Sequence, residues 1–343
     1  MQELTLKGTL ARVSAQTEFD QAAAMGLSDT SLLSNSFSPE RRKKIHDVYW
    51  DSFVYQKIFS HLESFRDFDA FWHFTNRQEI IYGSGAVRQV ANRFSARSAW
   101  LMTQFALSKL AANSDAFEEF VAGKIGFDAV RQGRRSRVTI NEAIQLRKDT
   151  ILETVRKYLG DSSLLIDLGS GWGRYSSLIS AMEPGVSVVA AELSNSGRKS
   201  TELVAKHFGL NIETAAFDFY NWKSLLRKLQ RAPHKYILVF SNHAIEQITY
   251  LDKRMFTDLL DLGKRICFVH IEPVGWQLGA DERFSRPPSR KLGAHGGYNK
   301  NFVPIVASLV EEGRVRLLDC APNYFSTLKR HNTGTLLAFE AIS

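Results

Sequence analysis

Apolar positions in the second half of the chain occur in short runs that alternate with segments of helical spacing. The runs predict strands at Leu164–Leu168, Val186–Glu192, Asn211–Phe217, Tyr236–Ser241 and Arg265–Ile271. Helical spacing lies between them, near residues 173–182, 196–208, 221–230 and 253–262. This alternation is typical of a parallel sheet that has helices on both faces.

Further patterns indicate where this α/β region begins and ends. A helical stretch near residues 301–312 is followed by two strand-like runs, Val315–Cys320 and Thr335–Ala341. Upstream, Thr139-Ile140-Asn141-Glu142 fits a capping box and therefore predicts the start of a helix, which Gly160 ends. We predict that residues 139–343 form one domain.

Residues 1–138 have a different pattern, which predicts a helical N-terminal extension that covers the cleft of the domain. Aromatic and aliphatic residues recur at helical spacing from about residue 40 to residue 130, without strand-like alternation. The aromatic residues can line a substrate pocket or pack a small helical core, and packing is the simpler interpretation. The basic stretch Arg131–Arg137 predicts an exposed linker.

The richest motif is Leu164-Leu165-Ile166-Asp167-Leu168-Gly169-Ser170-Gly171-Trp172-Gly173. Glycines let a backbone turn sharply after a strand and approach a ligand closely. The amides that open the next helix then point at the ligand. The spacing differs from the G-x-G-x-x-G of dinucleotide-binding enzymes. With Asp167 two residues before the first glycine, it resembles motif I of the class I S-adenosylmethionine (SAM)-dependent methyltransferases.

The resemblance covers roughly residues 140–343 and implies a doubly wound, seven-stranded, mostly parallel sheet whose last strand is inserted antiparallel. It also implies SAM as the cofactor, bound at the strand ends. Asp167 and the glycine turn would hold the amino acid tail and the ribose, Glu192 the ribose hydroxyls, and Asp218 the adenine. The full set of implied cofactor residues is Asp167, Gly169, Ser170, Gly171, Trp172, Gly173, Glu192, Leu193, Asp218, Phe219, Asn242 and His243.

Candidate catalytic residues follow the fourth and fifth predicted strands: His243, Glu246, Glu272 and, in the long connection at 273–300, His295. His243 comes first, because an imidazole is half neutral near pH 6.5 and the fourth strand ends near the sulfonium in the family. An equal alternative to the role of base is that His243 packs against the ligand or caps the next helix. Glu246 either orients a histidine or begins that helix.

Two observations near these candidates weaken a direct transfer of roles from the family. The family's Leu-Glu-His pattern is Ile245-Glu246-Gln247 here, so glutamine replaces histidine. His270 lies inside an apolar run, which favours a core histidine. The connection at 273–300 also carries arginines that can grip a phosphate or carboxylate, although a plain surface loop explains them too.

Composition excludes some classes of protein and leaves others open. Hydrophobic residues make up 44% and charged residues 23%, as in soluble globular proteins, and no apolar run reaches the roughly 18 residues that span a bilayer. The N-terminus does not read as a signal peptide, so we expect a cytoplasmic location and no membrane partner. Two cysteines cannot form a zinc site alone, and we expect no metal.

The net charge of +8 comes with basic clusters near residues 41–44, 131–137 and 283–291. These clusters can attract nucleic acid or an anionic substrate, but interspersed acids favour ordinary solvated surfaces. We therefore expect methyl transfer to a small-molecule acceptor, a hydroxyl of a sugar or secondary metabolite, and no nucleic acid. The alternatives are a protein, peptide or RNA N-methyltransferase, a non-catalytic protein of the same fold, and a nicotinamide enzyme. The sequence leaves the oligomeric state open.

Overall fold

The computed structural model describes residues 59–78, 126–160, 163–278, 298–327 and 333–342. The α-helices within these ranges are α1 Phe68–Gln78, α2 Ile140–Tyr158, α3 Arg174–Met182, α4 Asn195–Phe208, α5 Lys223–Arg231, α6 Arg254–Leu260 and α7 Phe302–Glu311. The strands are β1 Phe127–Arg131, β2 Arg134–Val138, β3 Ser163–Leu168, β4 Ser187–Glu192, β5 Ile212–Ala216, β6 Tyr236–Asn242, β7 Arg265–Glu272, β8 Val315–Thr327 and β9 Gly334–Ala341. Short 3₁₀ turns occupy Phe59–Ser64, Ile245–Gln247 and Gly275–Gln277.

The strands form one mixed sheet in the order β2-β1-β8-β9-β7-β6-β3-β4-β5. Strands β3 to β7 are parallel to one another, and β9 lies antiparallel between β7 and β8. The predicted α/β class and the antiparallel insertion are therefore confirmed. The carboxyl ends of five parallel strands meet at one edge, which is where open α/β sheets bind ligands.

The predicted strand number is wrong, because the sheet formed by the described residues has nine strands rather than seven. The two additional strands are β1 and β2, and the supposed linker Arg131–Arg137 forms most of their hairpin. Gln132 and Gly133 have φ values of 48° and 76°, as a two-residue hairpin turn of type I′ requires. The side chains of β2 are mostly exposed arginines, so the strand lacks the apolar alternation that identifies strands in a sequence.

The hairpin joins the sheet through antiparallel pairing of β1 with β8, at Ala129↔Thr327 to Arg131↔Phe325. The division of the chain between residues 138 and 139 stays a prediction. Of the expected helical extension, the described residues include only α1 and the turn Phe59–Ser64. Most of the aromatic stretch from 40 to 130 lies outside the described residues, and a helical extension is not confirmed.

Helices cover both faces of the sheet, as the alternation predicted. Leu165 and Leu238 point to one face, where α2, α3, α4 and α1 pack. Ile166 and Val239 point to the other face, which α5, α6 and α7 cover. Within α1, Phe71 and Trp72 are fully buried. Each hydrophobic layer thus fixes the strand ends, and the loops that follow them, from one side.

The start of α2 confirms the predicted capping box. The Thr139 hydroxyl accepts a bond from the backbone N–H of Glu142, whose carboxylate accepts one from the Thr139 N–H at 2.7 Å. Within the described residues, no helix combines the length and the apolar character needed to cross a membrane.

Candidate active site

The turn after β3 is a cradle that only glycine can build. Gly169, Gly171 and Gly173 have φ values of +68°, +59° and +79°, a region that side chains disfavour. A Cβ atom on Gly169 would lie 2.6 Å from the Cβ of Ala244, and one on Gly173 would lie 2.5 Å from Thr201. The turn is therefore packed against the segment that follows β6 and against α4.

Asp167 supports this turn from beneath. Its side chain is almost fully buried, and the Ser176 hydroxyl of α3 donates to Oδ2 at 2.7 Å. Burial raises the pKa of the Asp167 carboxyl to about 7. The strand end and the first turn of α3 are joined by this bond, which holds the glycines between them.

Glu192, at the end of β4, binds the glycine turn directly. Its Oε2 accepts the Gly171 N–H at 2.9 Å, and its Oε1 accepts both the N–H and the hydroxyl of Ser194, at 2.9 and 2.8 Å. A carboxylate has about four acceptor positions, so one remains, on Oε2. Leu193 contributes its carbonyl, which accepts a bond from Arg198 at 2.9 Å.

The segment after β5 brings an aromatic ring to the same cradle. Phe219 is buried, and its ring edge lies 3.6 Å from the position that a Gly169 Cβ would occupy. Asp218 is partly buried, and its Oδ1 accepts the N–H of Tyr220 at 2.9 Å. Trp172 of the turn faces the opposite way: it packs perpendicular to Phe71 of α1 at a centroid distance of 6.3 Å.

His243 and Glu246 form a pair directly after β6, next to Asn242. His243 adopts a φ of 57°, which is uncommon for a residue other than glycine. Its Nδ1 lies 3.1 Å from Oε1 of Glu246, and its side chain is 33% exposed, whereas that of Glu246 is 5% exposed. A mostly buried carboxylate thus holds an imidazole that reaches the surface.

Glu272, at the end of β7, anchors the segment 243–248 that carries this pair, which we call the His243 turn. Its side chain is fully buried. Oε1 lies 2.7 Å from the hydroxyl oxygen of Ser241 and accepts the Ala244 N–H at 3.1 Å, and Oε2 accepts the Glu246 N–H at 3.1 Å. Burial and the neighbouring Glu246 raise the pKa of Glu272 to about 7.

His270 lies one layer deeper in the sheet, opposite Ser241 on β6. It is fully buried, and its Nδ1 lies 2.8 Å from the Ser241 hydroxyl. Burial lowers the pKa of His270 to about 3, so the ring is neutral at physiological pH. It has the environment expected of a core histidine.

The two described ends of the long connection after β7 are bonded to each other, and the second of them is bonded to the His243 turn. The Asn299 N–H donates to the carbonyl of Glu246 at 3.0 Å, and the Asn299 side chain donates to the carbonyl of Ile248 at 2.7 Å. Gln277 donates to the Asn299 carbonyl at 2.6 Å. His295 and the arginines of this connection lie outside the described residues.

Five strand ends therefore bring most of the candidate residues to one edge of the sheet. Sequence reasoning missed the residues that hold them, namely Ser176, Ser194, Ser241 and Gly197. Ser241 could have been identified as a candidate from the sequence, because it is a polar residue at the end of the apolar run that forms β6. No group of three or more potential metal ligands lies together within the described part of the chain.

The strand order decides the architecture, since β9 is inserted antiparallel between β7 and β8 beside five parallel strands. The described sheet has the parallel strands and the inserted antiparallel strand that the resemblance to the class I methyltransferases implied. Neither a protein-family model nor a curated protein matches the sequence.

Several solved methyltransferase structures are similar to part of this chain at low identity. Geranyl diphosphate C-methyltransferase from Streptomyces coelicolor, in complex with S-adenosyl-L-homocysteine, is 13% identical over 58% of this chain and 81% of that chain, with a TM-score of 0.38. An O-methyltransferase family protein from Burkholderia thailandensis is 15% identical over 58% of this chain and 56% of that chain, with a TM-score of 0.37. An rRNA methylase from Streptococcus thermophilus is 16% identical over 59% and 97%, with a TM-score of 0.34. At these scores the matches identify neither a substrate nor a site residue.

Proposed function

We propose that this chain is a SAM-dependent methyltransferase. The observation that carries the proposal is the composite edge of the sheet, where a glycine turn lies between polar residues at the ends of neighbouring strands. Glu192 contacts Gly171, and both Phe219 and Ala244 of the His243 turn lie beside Gly169. A glycine turn that lies between polar side chains and an aromatic ring is suited to bind a flat nucleoside with a charged tail.

The residues present fit the cofactor with one adjustment. Glu192 retains one acceptor position for a ribose hydroxyl, and a second hydroxyl can bind when the Ser194 hydroxyl releases Oε1. Phe219 offers an aromatic face or edge beside the turn, and Asp218 a carboxylate for an exocyclic amine. Bound SAM supplies an electrophilic methyl group on a sulfonium ion.

His243 is the proposed general base, and Glu246 is the residue that orients it. With Glu246 accepting from Nδ1–H, the lone pair of His243 is on Nε2, which can take the proton of an acceptor hydroxyl. General-base catalysis contributes about 10²–10⁴-fold to a rate. A base of this kind favours an oxygen acceptor, and we propose a small molecule with a hydroxyl, of the sugar or secondary-metabolite class. His295 is a second candidate base, in the connection attached at Asn299.

Turnover tests this proposal. The protein is incubated with SAM and a panel of hydroxylated small molecules, and the release of S-adenosylhomocysteine is measured. We expect His243→Asn to lower kcat by about 100-fold or more with the productive acceptor. His207→Asn serves as the matched control, because His207 lies in the last turn of α4, at the opposite end from the glycine turn. We expect this variant to keep full activity. Folded protein that releases no product with any acceptor of the panel would contradict the proposed activity.

One observation favours RNA as a second candidate acceptor. The edge strand β2 exposes Arg134, Arg135 and Arg137, and a basic cluster of this kind suits a phosphate backbone. Arg131, in contrast, forms an ion pair with Glu153 of α2 at 2.6 Å. Binding to RNA that weakens steeply with salt, and that is lost on replacing the three exposed arginines with glutamine, would favour this candidate over a small molecule.

A further inference from the structure

Beneath the His243 turn, a chain of hydrogen bonds links the carboxyl ends of β6 and β7. It runs from Glu272 Oε1 to the Ser241 hydroxyl at 2.7 Å and from there to His270 Nδ1 at 2.8 Å. All three side chains are fully buried. Since the Ser241 hydroxyl has a single proton, the position of that proton determines the protonation of both its neighbours.

Only two arrangements satisfy this chain when His270 is neutral. In the first, His270 carries its proton on Nδ1 and donates to Ser241, which donates to an ionised Glu272. In the second, His270 carries its proton on Nε2, Ser241 donates to Nδ1, and a protonated Glu272 donates to Ser241. The two arrangements differ in the tautomer of His270 and in the charge of Glu272.

The surroundings of His270 Nε2 favour the second arrangement. This atom is buried, and no polar atom of the described residues bonds to it. The ring lies among aromatic side chains, with Phe302 and Phe256 perpendicular to it at centroid distances of 5.1 and 6.4 Å. An N–H can form a weak bond with an aromatic face, whereas a buried lone pair here finds no donor.

The charges around Glu272 favour the same arrangement. Its bonds come from one hydroxyl and two backbone amides, and no lysine or arginine of the described residues pairs with it. Burial and the second carboxylate, Glu246, raise the pKa of Glu272 to about 7, although the charge of His243 and the bonds with Ser241 and Ala244 act in the opposite direction. Two neighbouring buried carboxylates do not both ionise readily.

We propose that Glu272 is a neutral carboxylic acid that positions the His243–Glu246 pair, and that Glu246 alone carries the negative charge there. Glu272 is thereby a positioning residue rather than a base. Its Oε1 fixes Ala244, its Oε2 fixes Glu246, and together they hold His243 in its left-handed conformation. The catalytic meaning of this arrangement rests on the proposed methyltransferase function, whereas the protonation state does not.

Infrared difference spectroscopy of the intact protein tests the protonation state without any substrate. At about pH 6 an ordinary glutamate is ionised. Subtraction of the Glu272→Gln spectrum from that of the unchanged protein should reveal the carbonyl stretch of a carboxylic acid, and subtraction of the Glu246→Gln spectrum should not. A carboxylate band in the first difference, or an acid band only in the second, would overturn the proposal.

The tautomer of His270 gives a second readout that needs no variant at Glu272. In protein with ¹⁵N-labelled histidine, the His270 resonances are assigned by their loss in His270→Phe or, if that variant does not fold, by their failure to titrate between about pH 5 and 8. We expect the proton on Nε2. A proton on Nδ1 would overturn the proposal, because Ser241 would then donate to a carboxylate.

The pH dependence of kcat separates a neutral Glu272 from an ionised one. Glutamine is also neutral, so Glu272→Gln should leave the acidic limb of the profile within about half a pH unit of its original position, even where kcat itself falls. Glu246→Gln should move that limb to lower pH by about one unit or more, because it removes the charge that stabilises the imidazolium. A comparable downward shift in Glu272→Gln would mean that a negative charge was removed, and the proposal would fail. If no turnover is found at all, the infrared and ¹⁵N measurements still decide it.

Discussion

Replacing Gly169 with alanine tests the contact between the glycine turn and the His243 turn. The new Cβ would lie 2.6 Å from the Cβ of Ala244, whereas carbon atoms pack at about 3.5–4.0 Å, so one turn must move by about 1 Å. Overpacking of this size destabilises by about 1–3 kcal/mol. The left-handed φ of +68° adds about 1–2 kcal/mol for any residue with a Cβ. We expect a total loss of about 2–5 kcal/mol in the free energy of unfolding.

Gly209→Ala provides a matched control for the backbone effect. Gly209 ends α4 with a φ of +65°, and an added Cβ would meet no atom within 4 Å. This variant should lose only about 1–2 kcal/mol and bind SAM with unchanged affinity. Gly169→Ala should bind SAM at least about tenfold more weakly, which corresponds to 1.4 kcal/mol.

Calorimetric titration with SAM measures the change in affinity, and urea unfolding measures the change in the free energy of unfolding. A compensating substitution isolates the contribution of the contact between Gly169 and Ala244. Ala244→Gly removes the atom that clashes, so the double variant Gly169→Ala/Ala244→Gly should regain part of the affinity that Gly169→Ala loses. Such coupling is expected between residues in contact. Equal behaviour of Gly169→Ala and Gly209→Ala, or the absence of coupling with Ala244, would refute the reasoning.

Three further predictions concern other parts of the site and its support. Glu246→Gln should lower kcat at least about tenfold because Nδ1 of His243 loses its carboxylate, and an unchanged kcat would exclude the orienting role. Because the pKa of Asp167 rises from 3.8 to about 7 on folding, its contribution to stability is full below about pH 4 and falls by roughly 4 kcal/mol as the pH rises through 7. Urea unfolding at several pH values should show that fall relative to Asp167→Asn, and parallel curves would contradict it. Phe71→Ala should lose about 3–5 kcal/mol through the cavity left against Trp172, whereas Leu203→Ala on exposed α4 surface should lose less than about 1 kcal/mol; similar losses would contradict the packing of α1.

Most of the α/β region could be predicted from the sequence because its elements are strongly patterned. Strands β3, β4, β6 and β7 are apolar runs buried on both faces, and their observed bounds lie within one residue of the predicted ones. The hairpin at Phe127–Val138 could not be predicted in this way. Its strand β2 is polar on both faces. The position of the hairpin is determined by the pairing of β1 with the distant β8, a contact that local pattern does not encode.

The candidate site could be predicted as a set of strand-end residues but not as a network. Asp167, Glu192 and His243 follow strands in the sequence, and parallel strands bring their carboxyl ends together. Their bonding partners depend on register: Ser241 meets His270 only because β6 and β7 pair Ser241↔His270. The burial of Glu272, which distinguishes a positioning acid from an exposed base, follows from the packing of both neighbouring turns.

Binding of S-adenosylhomocysteine to the folded protein, measured by isothermal titration calorimetry, tests the central claim most directly. We predict a saturable 1:1 binding heat with S-adenosylhomocysteine and with SAM, no heat with NADH, and a weakened response in Gly169→Ala. Absence of heat with both methyl-donor forms on folded protein, or saturable binding of NADH in their place, would contradict the account.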